Sequence, residues 1–260
     1  MRALTLVNPR PSRTVTSVYP TMRERWSAVA ARQVYFGHQS VGGEIVTAIE
    51  HISEEMRLGI RVVQTTQPDA VRAPAFVHFQ AGRNQDPASK NAALLKVLDA
   101  RRIPDHAIVV LKYCYVDMQP NTNVRTLFDD YRALLEDIRR LHPDTVVVHS
   151  TMPLTTVETR FKARIKGLLG RRVARDGAIA RHEYNARVRN EFAGRPLFDI
   201  AAVESRQVDG SPSYFMADGE RIETLAAENT YDGGHLNTTG RRAAATALLD
   251  AVAHAIAIAR

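Results

Sequence analysis

Strand-like and helix-like stretches alternate along most of this chain, and that alternation limits what it can fold into. Ala107–Tyr113 (AIVVLKY) is a continuous apolar run, the pattern of a strand buried on both faces. Glu44–Leu58 carries Ile45, Ile49, Ile52 and Met56 at helical spacing. Val124–Leu141 places Leu127, Tyr131, Leu134, Leu135 and Ile138 on one helical face. Shorter β-type runs lie at Gln33–Gly37, Ile60–Gln64, Thr145–His149 and Pro196–Ile200, and further helical stretches at Asn91–Ala100, Glu183–Phe192 and Thr239–Ile258. Residues 66–88 read as loop. The repeated alternation predicts an α/β protein: a three-layer α/β/α sandwich on a parallel sheet of about five strands. Ligands of such sheets bind at the carboxyl ends of the strands, so the informative residues are those just after each strand.

A chain of 260 residues makes one large domain or two small ones, and 45% hydrophobic residues suffice for a packed core. No linker divides it. Residues 1–20, rich in Pro, Arg, Ser and Thr, read as an irregular lead-in, and 21–260 as one domain. The lone cysteine, Cys114, excludes an intrachain disulfide and a cysteine-only zinc site. Ala3–Val7 is too short for the ~7–15 apolar residues of a signal peptide. No stretch reaches the ~18 of a membrane span, because Asp250 and His254 interrupt the alanine-rich end. The expectation is a soluble protein, cytoplasmic by default, or periplasmic or extracellular if the true N-terminus is missing.

The net charge of +7 is concentrated. Residues 160–195 hold eleven Lys or Arg against three Asp or Glu, an excess of +8, which leaves the rest at −1. Arg160, Lys162, Arg164, Lys166, Arg171, Arg172 and Arg175 make up most of it. A charge run of this kind is first of all a solvated face. It would also suit an anionic polysaccharide, an acidic lipid head group or nucleic acid. No nucleic-acid-binding motif accompanies it, so nucleic acid is not expected as a partner.

Two glycine-flanked segments carry the chemistry. Gly37-His38-Gln39-Ser40-Val41-Gly42-Gly43 joins the first strand to a helix. Its glycine spacing imitates a P-loop, but Gly43-Glu44 stands where Lys-Ser/Thr is needed, and a glutamate repels phosphate. Ser40 is then either a helix cap or a nucleophile at the helix's first turn, its N–H facing a developing oxyanion. Tyr231-Asp232-Gly233-Gly234-His235-Leu236-Asn237 precedes the last helix. A serine needs a base, and the base needs a group that fixes its tautomer. Asp232 and His235 have the spacing for that, and equally for a turn aspartate beside a capping histidine. Two such residues do not make a metal site.

Together the two segments resemble the SGNH (GDSL-type) serine hydrolases, in a divergent subgroup with a Gly-His-Gln-Ser-Val-Gly opening. That family carries its serine in a Gly-Asp-Ser block after the first strand and an Asp-x-x-His pair before the last helix. Here Gly37-His38-Gln39-Ser40 lacks the usual aspartate, whereas Asp232-Gly233-Gly234-His235 matches well. The resemblance runs from about Gln33 to Ile258. It implies a flavodoxin-like SGNH architecture, a triad of Ser40, His235 and Asp232, and no metal or organic cofactor. It also implies an oxyanion hole from the Ser40 N–H, a glycine N–H after the second strand and an asparagine after the third. Gly82 is the candidate glycine. The third-strand loop, Lys112-Tyr113-Cys114-Tyr115-Val116-Asp117, has no such asparagine, and Asn84 from the neighbouring loop is the candidate substitute. Losing one donor of this kind costs ~2.7–4 kcal/mol of transition-state stabilisation.

Tyr115 and Asp117 sit where that loop would meet substrate, or form a structural turn. Cys114 reads as buried and inert. Lys112 reflects composition, His149 reads as a satisfied structural group, and Tyr184 and Asn185 as packing or surface residues. The implied activity is a serine esterase cleaving an O-acyl ester of a small molecule or polysaccharide, an acetylated carbohydrate being one candidate. The alternatives are an O-acyltransferase on the same scaffold and a non-catalytic carbohydrate- or nucleic-acid-binding module.

Overall fold

A computed structural model describes residues 20–67, 71, 74–99, 103–119, 121–157 and 168–259, with side chains in the last segment described from 174 onward. Its elements are α1 (Met22–Ser27), β1 (Val34–His38), α2 (Ser40–Glu55), β2 (Val62–Gln64), β3 (Phe76–Gln80), α3 (Pro87–Leu98) and β4 (Ile108–Leu111). There follow α4 (Val124–Leu141), β5 (Val146–Ser150), α5 (Leu168–Glu191), β6 (Leu197–Phe198), α6 (Ile200–Glu204), β7 (Tyr214–Ala217), β8 (Glu220–Glu223) and α7 (Thr238–Ile258).

Six strands form one parallel sheet in the order β2-β3-β1-β4-β5-β6. Side chains alternate across a strand, and here both faces are apolar. Val34 and Phe36 of β1 join Phe76, Ile108, Val110 and Val148 in a core with α2 and α7. Tyr35 joins Val77, Val109 and Leu111 in a second core with α3, α4 and α5. The expected α/β/α sandwich is therefore present. The amino-terminal helix is tied to the last one where the Trp26 indole donates to Asp250 at 2.8 Å. No helix among the described residues is long and apolar enough to cross a membrane.

Two expectations need correction. The stretch read as loop over 66–88 contains β3, inserted between β2 and β1, so the sheet has six strands rather than five. Its Phe76-Val77-His78-Phe79-Gln80 sequence is interrupted by polar residues, and His78 is there to pair with a histidine of β1. Gly82 consequently follows the third strand in chain order. The β7–β8 hairpin was not foreseen either. It turns through Asp218 and Gly219, both at positive φ (48° and 85°), as Asp-Gly hairpin turns require.

Of the basic segment, Arg160, Lys162, Arg164 and Lys166 lie outside the described residues. Further along, Arg175 stacks over Phe215 and donates to the Met216 carbonyl, Arg187 pairs with Glu183, and Arg189 pairs with Asp199. These three arginines are engaged in the protein's own contacts.

Candidate functional site

β1 ends at His38, Gln39 is the extended N-cap residue, and Ser40 opens α2. Ser40 is thus the first residue of the helix and does not cap it. Gln39 makes no side-chain cap either. Its amide donates to the Ala81 and Gly82 carbonyls at 2.9 and 2.8 Å, which draws the Gly82 loop against the turn that carries Ser40.

Gly42 of this turn answers to His38. A Cβ on Gly42 would stand 2.2 Å from His38 Cβ and 2.4 Å from its Cγ, so only glycine lets the helix start over that ring. His38 Nδ1 bonds the Gln39 carbonyl at 2.8 Å, and Nε2 meets His78 Nδ1 at 3.0 Å across stacked rings. Burial pushes His38 down to about 3 and lowers His78 as well. With both rings neutral, the bonding pattern assigns His38 Nδ1–H as donor to Gln39 and its Nε2 as acceptor from His78 Nδ1–H.

The loop before α7 is built around Asp232. One carboxylate oxygen accepts the Gly234 and His235 N–H groups at 2.9 and 2.8 Å. The other meets His235 Nδ1 at 2.7 Å. The His235 backbone N–H, then its ring, hold the Asp232 carboxyl down at about 2. Gly233 sits at φ +94° with its carbonyl accepting from Thr156 N at 2.9 Å, and a Cβ there would lie 2.6 Å from Thr156 Oγ1. His235 Nε2 faces Ser40 Oγ at 3.2 Å. Because Nδ1 is turned to a carboxylate, Nε2 is left bare toward the serine, the tautomer a base needs. Ser40 and Asp232 are both solvent-exposed.

Three further residues frame His235. The Tyr231 ring stacks parallel to it at 6.0 Å, and Tyr115 meets it edge-on at 6.2 Å. Glu44 binds the same loop from α2, accepting from Leu236 N at 2.8 Å and Tyr231 Oη at 3.2 Å. In the sequence Glu44 speaks only against phosphate. Its role in the loop was missed, because its partners lie near the other end of the chain.

Gly82 stands at φ +56°, and a Cβ on it would come within 2.5 Å of the Ser89–Lys90 backbone. Asn84 is exposed, and its carbonyl oxygen faces inward to Lys90 Nζ at 3.3 Å. Asp117 is fully buried in an ion pair with Lys90, so of the two readings of its loop the structural one holds for it. Tyr115, by contrast, lies at the site. Cys114 is buried, as read. Lys112 is entirely buried and donates to the Tyr113 carbonyl at 3.3 Å, which composition does not foreshadow. His149 is enclosed by Phe192, stacked at 3.7 Å, and the Tyr131 hydroxyl at 2.9 Å, a structural group as expected. Asn185 is a buried clamp on both polar atoms of the Met152 backbone, at 2.7 and 3.0 Å, and Tyr184 packs in the core. Among the described residues no group of three or more His, Cys, Asp or Glu is placed to hold a metal.

No protein-family model and no curated protein matches the chain. Several solved structures are similar to it. A Slackia heliotrinireducens protein assigned as an SGNH hydrolase shares 19% identity over 86% of this chain and 99% of its own, with a TM-score of 0.47. A Parabacteroides merdae protein assigned as a GDSL-like lipase shares 13% over 85% and 95%, with a TM-score of 0.49. Est24, a carbohydrate acetylesterase from Sinorhizobium meliloti, shares 12% over 85% and 98%, with a TM-score of 0.46.

Proposed function

We propose that this chain is a serine esterase of the SGNH kind. The observation that carries the proposal is the unbroken chain from Ser40 Oγ through His235 to Asp232, at 3.2 and 2.7 Å. Ser40 Oγ attacks the acyl carbonyl while His235 Nε2 takes its proton. Asp232 stays ionised, holds the tautomer and stabilises the imidazolium. The negative charge moves onto the carbonyl oxygen. The Ser40 N–H at the start of α2, the Gly82 N–H and the Asn84 amide receive it, aided by the positive end of the helix.

Collapse of this intermediate breaks the ester C–O bond, and His235 returns the proton to the departing alcohol. Water then attacks the acyl-enzyme, losing a proton to His235 and releasing the carboxylic acid and free Ser40. The exposed serine admits a bulky alcohol, so an O-acylated small molecule or polysaccharide suits the site, and the resemblance to SGNH hydrolases suggests an O-acetylated carbohydrate as one candidate. No step calls on a metal or an organic cofactor.

A fluorophosphonate probe with mapping of the adduct by mass spectrometry tests this without a guess at the substrate. Labelling at Ser40 that disappears in His235→Ala is the expected result. Folded protein that takes no label, or an active Ser40→Ala variant, overturns the assignment.

A further inference from the structure

We propose that the buried Lys90–Asp117 ion pair is a positioning device that sets the oxyanion-binding loop, so that the Gly82 N–H and the Asn84 amide are fixed before substrate arrives. This rests on the esterase reading above. Lys90 Nζ and Asp117 Oδ2 are 2.5 Å apart, and both side chains are wholly shielded from solvent. Burying two charges costs desolvation that their attraction often fails to return, so such a pair is weak evidence of a stability function. What these two residues bind shows what they do instead.

Asp117 stands in the loop after β4. Its Oδ2 accepts from Cys114 N at 2.7 Å, which anchors it to its own loop. Its Oδ1 reaches across to the Gly82 loop and accepts from Gln85 N at 2.8 Å. Gln85 is held at φ +65°, a conformation a non-glycine residue adopts only when its surroundings impose it. Lys90, one turn into α3, adds a bond from Nζ to Asn84 Oδ1. An asparagine whose oxygen is engaged by a buried ammonium has its NH₂ end left to offer elsewhere. Asn84 is exposed, so that end is available to a ligand.

The other end of the loop is held by Gln39, through the carbonyls of Ala81 and Gly82. Gly82 itself rests on the Ser89–Lys90 backbone, where no Cβ fits. The loop is thus clamped at 81–82 from the nucleophile's turn and at 84–85 from the Lys90–Asp117 pair. The loop after β4 lacks an asparagine of its own, and its aspartate acts through Lys90 on Asn84 of the loop after β3.

The test compares kcat, KM and Tm for p-nitrophenyl acetate hydrolysis in Asn84→Ala, Asp117→Asn and the apolar double variant Lys90→Met/Asp117→Leu. Asn84 is exposed, so Asn84→Ala should fold like wild type and lose about a hundredfold in kcat with KM little changed, the effect of removing one oxyanion donor. The double variant removes the unpaired ammonium that Asp117→Asn leaves buried, but it also removes the acceptors of Cys114 N and Gln85 N, so its Tm should lie below wild type. Its kcat should stay down by about a hundredfold, as displaced catalytic groups do.

Full activity in Asn84→Ala, or a wild-type kcat in the double variant at a temperature where it is folded, overturns the positioning role. If the double variant does not fold, Asp117→Asn decides: a wild-type kcat below its own Tm overturns the positioning role, and a kcat lowered with KM little changed supports it. Fluorophosphonate labelling of the wild type separates the two failures. A labelled Ser40 with an indifferent Asn84 sinks only this inference, whereas no labelling sinks the esterase reading beneath it.

Discussion

Glu44 Oε2 accepts a hydrogen bond from Leu236 N at 2.8 Å, across 192 residues of chain. Glu44 lies one turn after Ser40 on α2, so both point from the same side of the helix. The helix that presents Ser40 therefore also holds the loop that presents His235. The link joins the elements on either side of the 3.2 Å gap between Ser40 Oγ and His235 Nε2. Glu44→Ala should lower kcat by about ten- to a hundredfold, the scale of a small misplacement of reacting groups. Glu44→Gln keeps one acceptor for Leu236 N and should lose less. Steady-state kinetics on p-nitrophenyl acetate orders the two variants, and equal activity of Glu44→Ala and wild type would refute the link.

Asp232→Asn tests the charge rather than the geometry. The native carboxyl sits at about 2, held first by the His235 N–H and then by its ring. A carboxyl lowered on folding contributes stability above its unfolded value of 3.8, lost as pH falls through about 2. Asp232 is exposed, so solvent screening keeps that contribution small. Asp232→Asn should accordingly leave Tm at pH 7 nearly unchanged. Its kcat should fall by about 10⁴, because the amide no longer fixes the tautomer or offsets the imidazolium charge. The wild-type rate should show no loss assignable to Asp232 above pH 4, which a pH profile of kcat/KM will show.

Glu204 makes stability fall with pH. It is fully buried, and burial pushes its carboxyl up to about 8, while the Leu154 N–H, then Lys112 and Arg181, pull it down and Glu44 adds to the rise. Its Oε2 accepts from Leu154 N at 2.5 Å. The unfolded carboxyl ionises near 4.5, so the folded protein binds the extra proton between 4.5 and 8 and stability drops as pH rises through that range. The buried histidines work oppositely. His38 and His149 titrate near 3 and 4 when folded against 6.5 unfolded, so stability rises with pH up to about 6.5 on their account. Between pH 6.5 and 8 the Glu204 effect stands alone among the three. Tm measured across that window should decline in wild type and flatten in Glu204→Gln. A parallel decline in both proteins would assign the slope elsewhere.

The sequence was legible where a residue's role depends on its near neighbours. β1, β4 and β5 are apolar runs that no other element explains, and Asp232 and His235 are three residues apart with glycines between. The rest depends on distant partners. β3 was lost in a supposed loop because His78 breaks its run, and that histidine makes sense only beside His38, 40 residues earlier. Lys90 carries no local signal of its burial, because its partner Asp117 lies 27 residues on. Gln39 carries no local signal of its role, because the Ala81 and Gly82 carbonyls it binds lie 42 and 43 residues on. The Asp218-Gly219 turn is different: its signal was local and could have been used.

The two glycines after Val41 should separate cleanly when each is changed to alanine. Both lie in the first turn of α2, where alanine is favoured over glycine by about 1 kcal/mol on propensity alone. At Gly43 the nearest atom to a new Cβ is His38 Cε1 at 3.8 Å, an ordinary contact, so propensity wins. Gly43→Ala should raise stability by up to about 1 kcal/mol. At Gly42 the new Cβ would lie 2.2 Å from His38 Cβ. That atom is fixed to the backbone of β1 and cannot rotate away, while the ring beyond it is held by Gln39 and His78. Either α2 or the ring must move, at a cost of about 1–3 kcal/mol that outweighs the propensity gain. Since Ser40 rides on the displaced turn, Gly42→Ala should also lose fluorophosphonate labelling at temperatures where it remains folded. Denaturant midpoints and labelling rates for the pair measure both effects, and a Gly42→Ala protein as stable and as reactive as Gly43→Ala would mean that His38 does not set the path of the turn that carries Ser40.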